Sequence, residues 1–181
     1  TISLFGIEAL NNNKSLPQIF VANDKYNDIR ADKLGDEFKL NYIIKGGGNE
    51  FERIEEITET NASYIIPLDF PEAYDVTDPY IANKIALEEM LLWNQAPTNP
   101  KVLADNNINF AFTASDNKKT TDFKSNLLKA IAYGLDKTKA LEALTTTPAT
   151  LLNKADEIGS LEKGHYANFL ITSGDIFEKE T

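Results

Sequence analysis

The chain has 181 residues, 42% of them hydrophobic and 25% charged, the composition of one ordinary globular domain with enough apolar mass for a core, so disordered and fibrous classes are excluded. Eighteen basic against 28 acidic residues leave a formal net charge of −10, which repels a phosphate backbone over most of the surface and argues against a nucleic-acid partner. Cysteine is absent and His165 is the single histidine, so the segment has no thiolate chemistry and cannot build a histidine cluster for zinc or iron from its own residues.

No apolar run approaches the ~18 residues of a membrane span, and the N-terminus lacks a signal-peptide pattern. The chain begins at Thr1 without methionine, as expected of a processed product or a piece of something longer. Nothing in it fixes a compartment.

In chain order, Leu4, Phe5, Ile7 and Leu10 predict an opening helix stopped by Asn11, Asn12 and Asn13, followed by a first strand from Pro17 to Val21. Asp24 stands where a helix N-cap would, and Ala31, Leu34 and Phe38 then share one helical face. A second strand, Tyr42 to Ile44, runs into Lys45 and Gly46-Gly47-Gly48. The helix after it carries Phe51, Ile54 and Ile57 on one side, and Glu50, Glu52, Glu55, Glu56 and Glu59 predict a solvated acidic face.

The third strand is Ser63 to Leu68, closed by Asp69 and Pro71. An insertion follows, with a crowded helix near Ile81, Ile85, Met90, Leu92 and Trp93, whose large side chains read as core, and a shorter helix starting at Pro100. A fourth strand, Ile108 to Thr113, leads to Ser115 and Asp116. Phe123, Leu127 and Ile131 mark the next helix, ended by Gly134, a residue favoured just past a helix C-terminus. Two short helices, Lys137 to Leu144 and Pro148 to Leu152, precede a turn at Lys163-Gly164 and a strand Phe169-Leu170-Ile171.

This βα alternation fits either a doubly wound sheet or a (β/α) barrel. Four units are half of an eight-unit barrel, which typically needs ~250 residues. Such a half exposes an edge strand and its inner apolar layer, so the expected partner is the remainder of a full-length chain or a second copy. The expected division is residues 1–155 as the partial barrel and 156–181 as a C-terminal β segment.

From Asn126 onward the pieces Asn126-Leu127-Leu128, Ala132-Tyr133-Gly134-Leu135, Ala140 to Thr145, Thr147-Pro148-Ala149 and Ile158-Gly159-Ser160-Leu161-Glu162-Lys163-Gly164 form an ordered series. That series resembles the C-terminal part of the amidohydrolase superfamily, with the imidazolonepropionase-like branch nearest in pattern. The resemblance implies an α/β fold made of strands five to eight of a TIM-like barrel, with a C-terminal segment of a small β-sandwich. It also implies a hydrolase class that acts on non-peptide carbon–nitrogen bonds, in which zinc or another divalent metal activates a water.

In such relatives the metal ligands are an HxH pair on the first strand, histidines after the fifth and sixth, and an aspartate after the eighth that is also the general base. Asp116, following Phe110 to Ser115, matches that aspartate. The histidine positions read Val21-Ala22-Asn23-Asp24 and Ile44-Lys45-Gly46 instead, and the HxH strand lies outside this sequence. His165 falls in a turn toward the sandwich strand.

The segment is therefore expected to bind no metal by itself. A protonated lysine has no lone pair for a cation, but Lys45 can place a positive charge where the metal's charge would be and pair with Asp116 or Asp24. Asn23, Asp24, Lys45, Asp69 and Ser115 are the expected pocket residues for a small-molecule substrate, and Asp116 the catalytic one. The alternative is a non-catalytic domain that binds, or scaffolds a second, active domain. Gly46-Gly47-Gly48 lacks the rest of a phosphate-binding signature and reads as a loop, and the stretch with Asp69 and Asp75 reads as a surface loop.

Overall fold

The computed structural model describes residues 4–116, 119 and 121–178. After the helix α1 (Leu4–Asn12), four strands, β1 (Gln18–Val21), β2 (Tyr42–Lys45), β3 (Ser63–Pro67) and β4 (Phe110–Thr113), form one parallel sheet in the order β1-β2-β3-β4. Strand order equal to chain order is that of a (β/α) barrel wall, with no reversal such as a doubly wound sheet has at its switch point. The four units do not close.

Strand side chains alternate between two faces, and the register puts Phe20, Ile44, Tyr64, Ile66 and Phe110 together on one of them. That face is the core: Ile44, Tyr64 and Ile66 are fully buried, with Ile57, Leu103, Leu127, Ala130 and Ala140 from the helical layer packed with them. The other face carries Ile19, Val21, Ile43, Lys45, Ile65, Ala111 and Thr113, and at its β1 edge Ile19 and Val21 are 49% and 60% exposed. In a closed barrel this is the inner layer.

The first connection is α2 (Lys25–Phe38), capped by Asp24, whose Oδ1 accepts hydrogen bonds from the backbone N–H of Tyr26 and Asn27 at 2.8 and 3.0 Å. The predicted apolar stripe is corrected here. The buried residues of α2 are Lys25, Asp28, Ala31 and Gly35, whereas Leu34 and Phe38 are exposed. The packing is close near its C-terminal end: a Cβ on Gly35 would stand 2.4 Å from the Leu40 carbonyl oxygen and 3.1 Å from the ring of Tyr42 in β2, so a bare Cα faces the sheet there and Leu34 and Phe38 are turned outward.

The second connection is a 3-10 turn (Glu50–Arg53) running into α3 (Ile54–Glu59). The third contains α4 (Pro79–Ala82), α5 (Leu87–Gln95), a 3-10 turn (Ala96–Thr98) and α6 (Asn99–Asp105). Met90 and Trp93, expected in the core, are exposed, and α5 buries none of its residues; it meets the rest of the domain chiefly at the following 3-10 turn, so its apolar flank is left facing out.

Past β4, α7 (Asp122–Ala132) ends at Gly134, whose φ of +104° is the left-handed conformation that glycine adopts without strain. Then come α8 (Lys137–Leu144) and α9 (Thr146–Leu151), α8 with the predicted bounds, both packed against β4. The expected strand Phe169-Leu170-Ile171 does not form: these residues carry no strand pairing, and Leu170 and Ile171 are each 88% exposed. A strand needs a neighbour to take its backbone hydrogen bonds, and no described segment runs beside this one. Residues 179–181 of the expected C-terminal segment lie outside the described residues.

Candidate functional site at the C-terminal end of the sheet

Parallel strands in a barrel deliver their chemistry at their C-terminal ends. There, Lys45, the last residue of β2, lies on the inner face. Its Nζ stands 2.6 Å from Asp116 Oδ2, three residues past the end of β4. The two residues are 71 apart in sequence and are joined across the intervening strand β3.

The lysine side chain is largely screened from water and the aspartate about half so, which makes the contact stronger than an ion pair in open water and weaker than one in a dry interior. The Ser115 hydroxyl reaches Asp116 Oδ1 at 3.3 Å, and its backbone N–H donates to Thr113 Oγ1 at 3.1 Å, which folds the chain tightly after β4. Both Asp116 oxygens thus have partners from this chain.

Of the other expected pocket residues, Asp24 is committed elsewhere. Its carboxylate caps α2 and also accepts from the Asn27 side chain at 2.7 Å, so of the two carboxylates considered for Lys45 only Asp116 is engaged. Asn23 abuts the glycine turn, and a Cβ on Gly47 would stand 2.3 Å from its carbonyl oxygen. Asp69 is exposed after β3, with no hydrogen bond to the Lys45–Asp116 pair. Asp75 belongs to a surface turn, holding Thr77 through its backbone N–H and its hydroxyl. His165 is a turn residue, with Nδ1 3.0 Å from Ser160 Oγ.

The glycine turn has its own anion. Gly46 N–H is spent on the Ile65 carbonyl, and Gly48 N–H donates to Glu50 Oε1 at 2.9 Å. Glu50 is not on a solvated face, as its acidic neighbours suggest, but wholly buried. Its carboxyl fills the backbone concavity from within and crowds Gly46, while Gly47 lies against the Asn23 carbonyl and Gly48 has a φ of +88°, so the three glycines are explained without any phosphate. Asn99, also buried, donates its amide to Glu50 Oε2 and accepts from Phe51 N–H at 2.8 Å.

Burial pushes the Glu50 carboxyl up from its ordinary value, against the opposing pull of the Gly48 N–H first, then its own backbone N–H, the Asn99 amide and the Gly47 N–H. Asp28 and Asn99, both buried in this cluster, escaped sequence reasoning. A lone Asp in the middle of a helix carries no signal, but a glutamate directly behind Gly-Gly-Gly-Asn is a residue placed to receive backbone donors.

The side-chain groups brought together at the inner face are the Asp116 carboxylate, the Lys45 ammonium and the hydroxyls of Ser115 and Thr113. A divalent cation asks for several oxygen or imidazole donors and no adjacent ammonium, so these residues do not fit a metal centre. Among the described residues no group of three or more histidine, cysteine, aspartate or glutamate side chains is placed to hold a metal ion. No described helix is long and apolar enough to cross a membrane.

An open parallel βα sheet in chain order, with charged groups gathered at its C-terminal end, is the wall of a (β/α) barrel. Residues 47–180 match the amidohydrolase family, and the chain belongs to that family. Among solved structures, an amidohydrolase from Thermotoga maritima MSB8 is similar over 99% of this chain and 44% of its own, at 20% identity and a TM-score of 0.74. An amidohydrolase with 14% identity (95% of this chain, 41% of its own, TM-score 0.65) is also similar. So is a prolidase complexed with N-methylphosphonate-L-proline, with 18% identity (90% of this chain, 39% of its own, TM-score 0.61).

At these identities the likeness is one of fold. The chain spans less than half the length of the structures it resembles. No curated protein matches it.

Proposed function

We propose that this chain is the C-terminal half of an amidohydrolase-type barrel in which an internal ion pair has replaced the metal centre, so that the segment serves binding and scaffolding rather than metal-dependent hydrolysis of carbon–nitrogen bonds. The observation that carries this reading is the 2.6 Å contact between Lys45 and Asp116. The family resemblance assigns both residues to metal-ligand positions. An ammonium there supplies the positive charge that keeps an inward-facing carboxylate stable, with no vacant orbital to polarise a carbonyl and no bound water to activate.

The scaffolding half of the reading rests on the exposed inner layer at Ile19 and Val21. The remainder of a full-length chain is the partner that supplies the missing strands, and a small molecule at the mouth of the completed barrel is the ligand class. Metal analysis of the intact protein by inductively coupled plasma, for the native chain and for Asp116→Asn, tests the reading. The expected result is no stoichiometric metal that depends on Asp116. Zinc at one equivalent in the native protein, lost in Asp116→Asn, contradicts it.

A further inference from the structure

Lys45 sends its side chain to the inner face of the sheet, and the next residue, Gly46, turns its bare Cα to the opposite side, where two carboxyl groups converge. A methyl group on Gly46 would stand 2.1 Å from Glu50 Oε1 and 3.5 Å from Asp28 Oδ2. Glu50 has its donors: Gly48 N–H and Asn99 Nδ2 are aimed at its two oxygens, and such donors favour the ionised form. Asp28 has none. It is 0% exposed, and neither Oδ1 nor Oδ2 has a hydrogen-bond partner.

The groups around Asp28 offer no relief. From its own helix come Asp24, four residues before it and engaged as the cap, and Asp32, four residues after. From the turn after β2 comes Glu50, and from β3 the Tyr64 hydroxyl, which is 3.1 Å from Thr60 Oγ1 and is itself pushed up, by burial above all. Lys25, the buried cation of the same helix, gives its ammonium to Glu52. An ionised Asp28 would be a bare charge in a dry pocket beside a second, solvated-by-protein charge, whereas a protonated one is a neutral group with a hydrogen to donate. Burial first, then the charges of Glu50 and Asp24, hold its carboxyl up at about 8.

We propose that Asp28 is a proton switch seated beneath the turn that carries Lys45: protonated, it lets α2 close on Gly46 and Glu50, and ionised, it repels Glu50 and loosens the 46–50 turn. This holds whatever the barrel mouth binds, because it depends only on α2, β2 and the turn after β2. The sign follows from linkage. The folded chain keeps a proton on Asp28 that the unfolded chain has already lost, so the stability it confers is complete below an ordinary aspartate's pKa and is lost as pH rises toward about 8.

The test is urea denaturation of the intact protein, native and Asp28→Asn, from acid to mildly alkaline pH, beside the carbon-13 titration of the Asp28 carboxyl and hydrogen exchange at Gly46 and Gly48. The native folding constant is expected to fall relative to that of Asp28→Asn by up to about tenfold per pH unit between the two pKa values. The carboxyl resonance should titrate well above the carboxylate range, and amide protection at Gly48 should fall with the same midpoint. Should Asp28→Asn not fold, Glu50→Gln replaces it, and the Asp28 midpoint should then move down.

Parallel pH profiles for native and variant, a carboxyl midpoint in the ordinary aspartate range, or Gly48 protection that ignores that midpoint would each overturn the proposal. So would stabilisation of the native protein by added sodium, potassium, magnesium or calcium chloride that Asp28→Asn abolishes, since a cation rather than a proton would then neutralise the carboxylate.

Discussion

Lys45 illustrates how a single side chain can redefine a site whose scaffold is retained. Its Nζ lies at 2.6 Å from Asp116, with the lysine mostly covered and the aspartate about half so. Removing the lysine therefore leaves a carboxylate that water can solvate, and Lys45→Met should cost under about 1 kcal/mol by urea denaturation, the range of partly exposed pairs. Replacing it with imidazole is more telling. Lys45→His puts a neutral nitrogen donor beside Asp116 and should raise zinc affinity measurably in a titration where the native chain shows none; equal, negligible binding by both would mean the position is not directed at the carboxylate.

Gly46 is the second single-residue test. A Cβ would overlap Glu50 Oε1 at 2.1 Å, and the carboxyl it displaces is held by Gly48 and Asn99, so Gly46→Ala should destabilise the fold by about 1–3 kcal/mol, as overpacked sites do. The ion pair could be anticipated because the family resemblance puts both residues at ligand positions, with Lys45 standing where relatives have histidine. The Asp28–Glu50 cluster could not, because burial of a carboxyl is set by which helix face meets the sheet, and that face carries Ala31 and Gly35, the latter against Tyr42, rather than the apolar residues Leu34 and Phe38.

At the scale of elements, the strands were the most legible part. Parallel strands covered on one face by helices appear as short β-branched and aromatic runs between turn signals, and all four lie where Pro17 to Val21, Tyr42 to Ile44, Ser63 to Leu68 and Ile108 to Thr113 suggest. The helix Lys137–Leu144 was equally plain, since Asp136 caps it through the N–H groups of Thr138 and Lys139. What local pattern did not reveal was the join between elements. Asn99 at the start of α6 ties that helix to the 3-10 turn after β2 through Phe51 N–H and Glu50, a contact 49 residues long in sequence. Asn99→Ala strands both groups in a buried place and should cost about 2–4 kcal/mol in a denaturation experiment; a loss below about 0.5 kcal/mol would show the link to be slack.

Over the whole molecule the helical face of the sheet is finished and the inner face is not. Ile19 and Val21 are exposed along the β1 edge, and the segment at Phe169 to Ile171 lies open without a strand beside it. Both features accompany a chain that covers 44% of the Thermotoga maritima amidohydrolase it resembles.

The count of βα units pointed to the uncovered inner face, whereas Phe169 to Ile171 was expected to be a strand and carries no strand pairing, because strand formation is decided by a neighbour rather than by propensity. Val21→Ser should change the stability of the 181-residue chain by no more than about 0.5 kcal/mol, as at any exposed site. In a full-length protein whose remaining strands cover this layer, the same change should cost about 1–3 kcal/mol through lost burial. Equal effects in the two settings would mean the inner face is never covered.

The replacement of a metal centre by Lys45 and Asp116 is tested most directly by anomalous diffraction at the zinc edge from crystals of the intact protein soaked in zinc. The expected map has no anomalous peak within bonding distance of Asp116, and Lys45 Nζ remains in contact with Oδ2. A peak coordinated by Asp116, with Lys45 swung aside, would contradict the account.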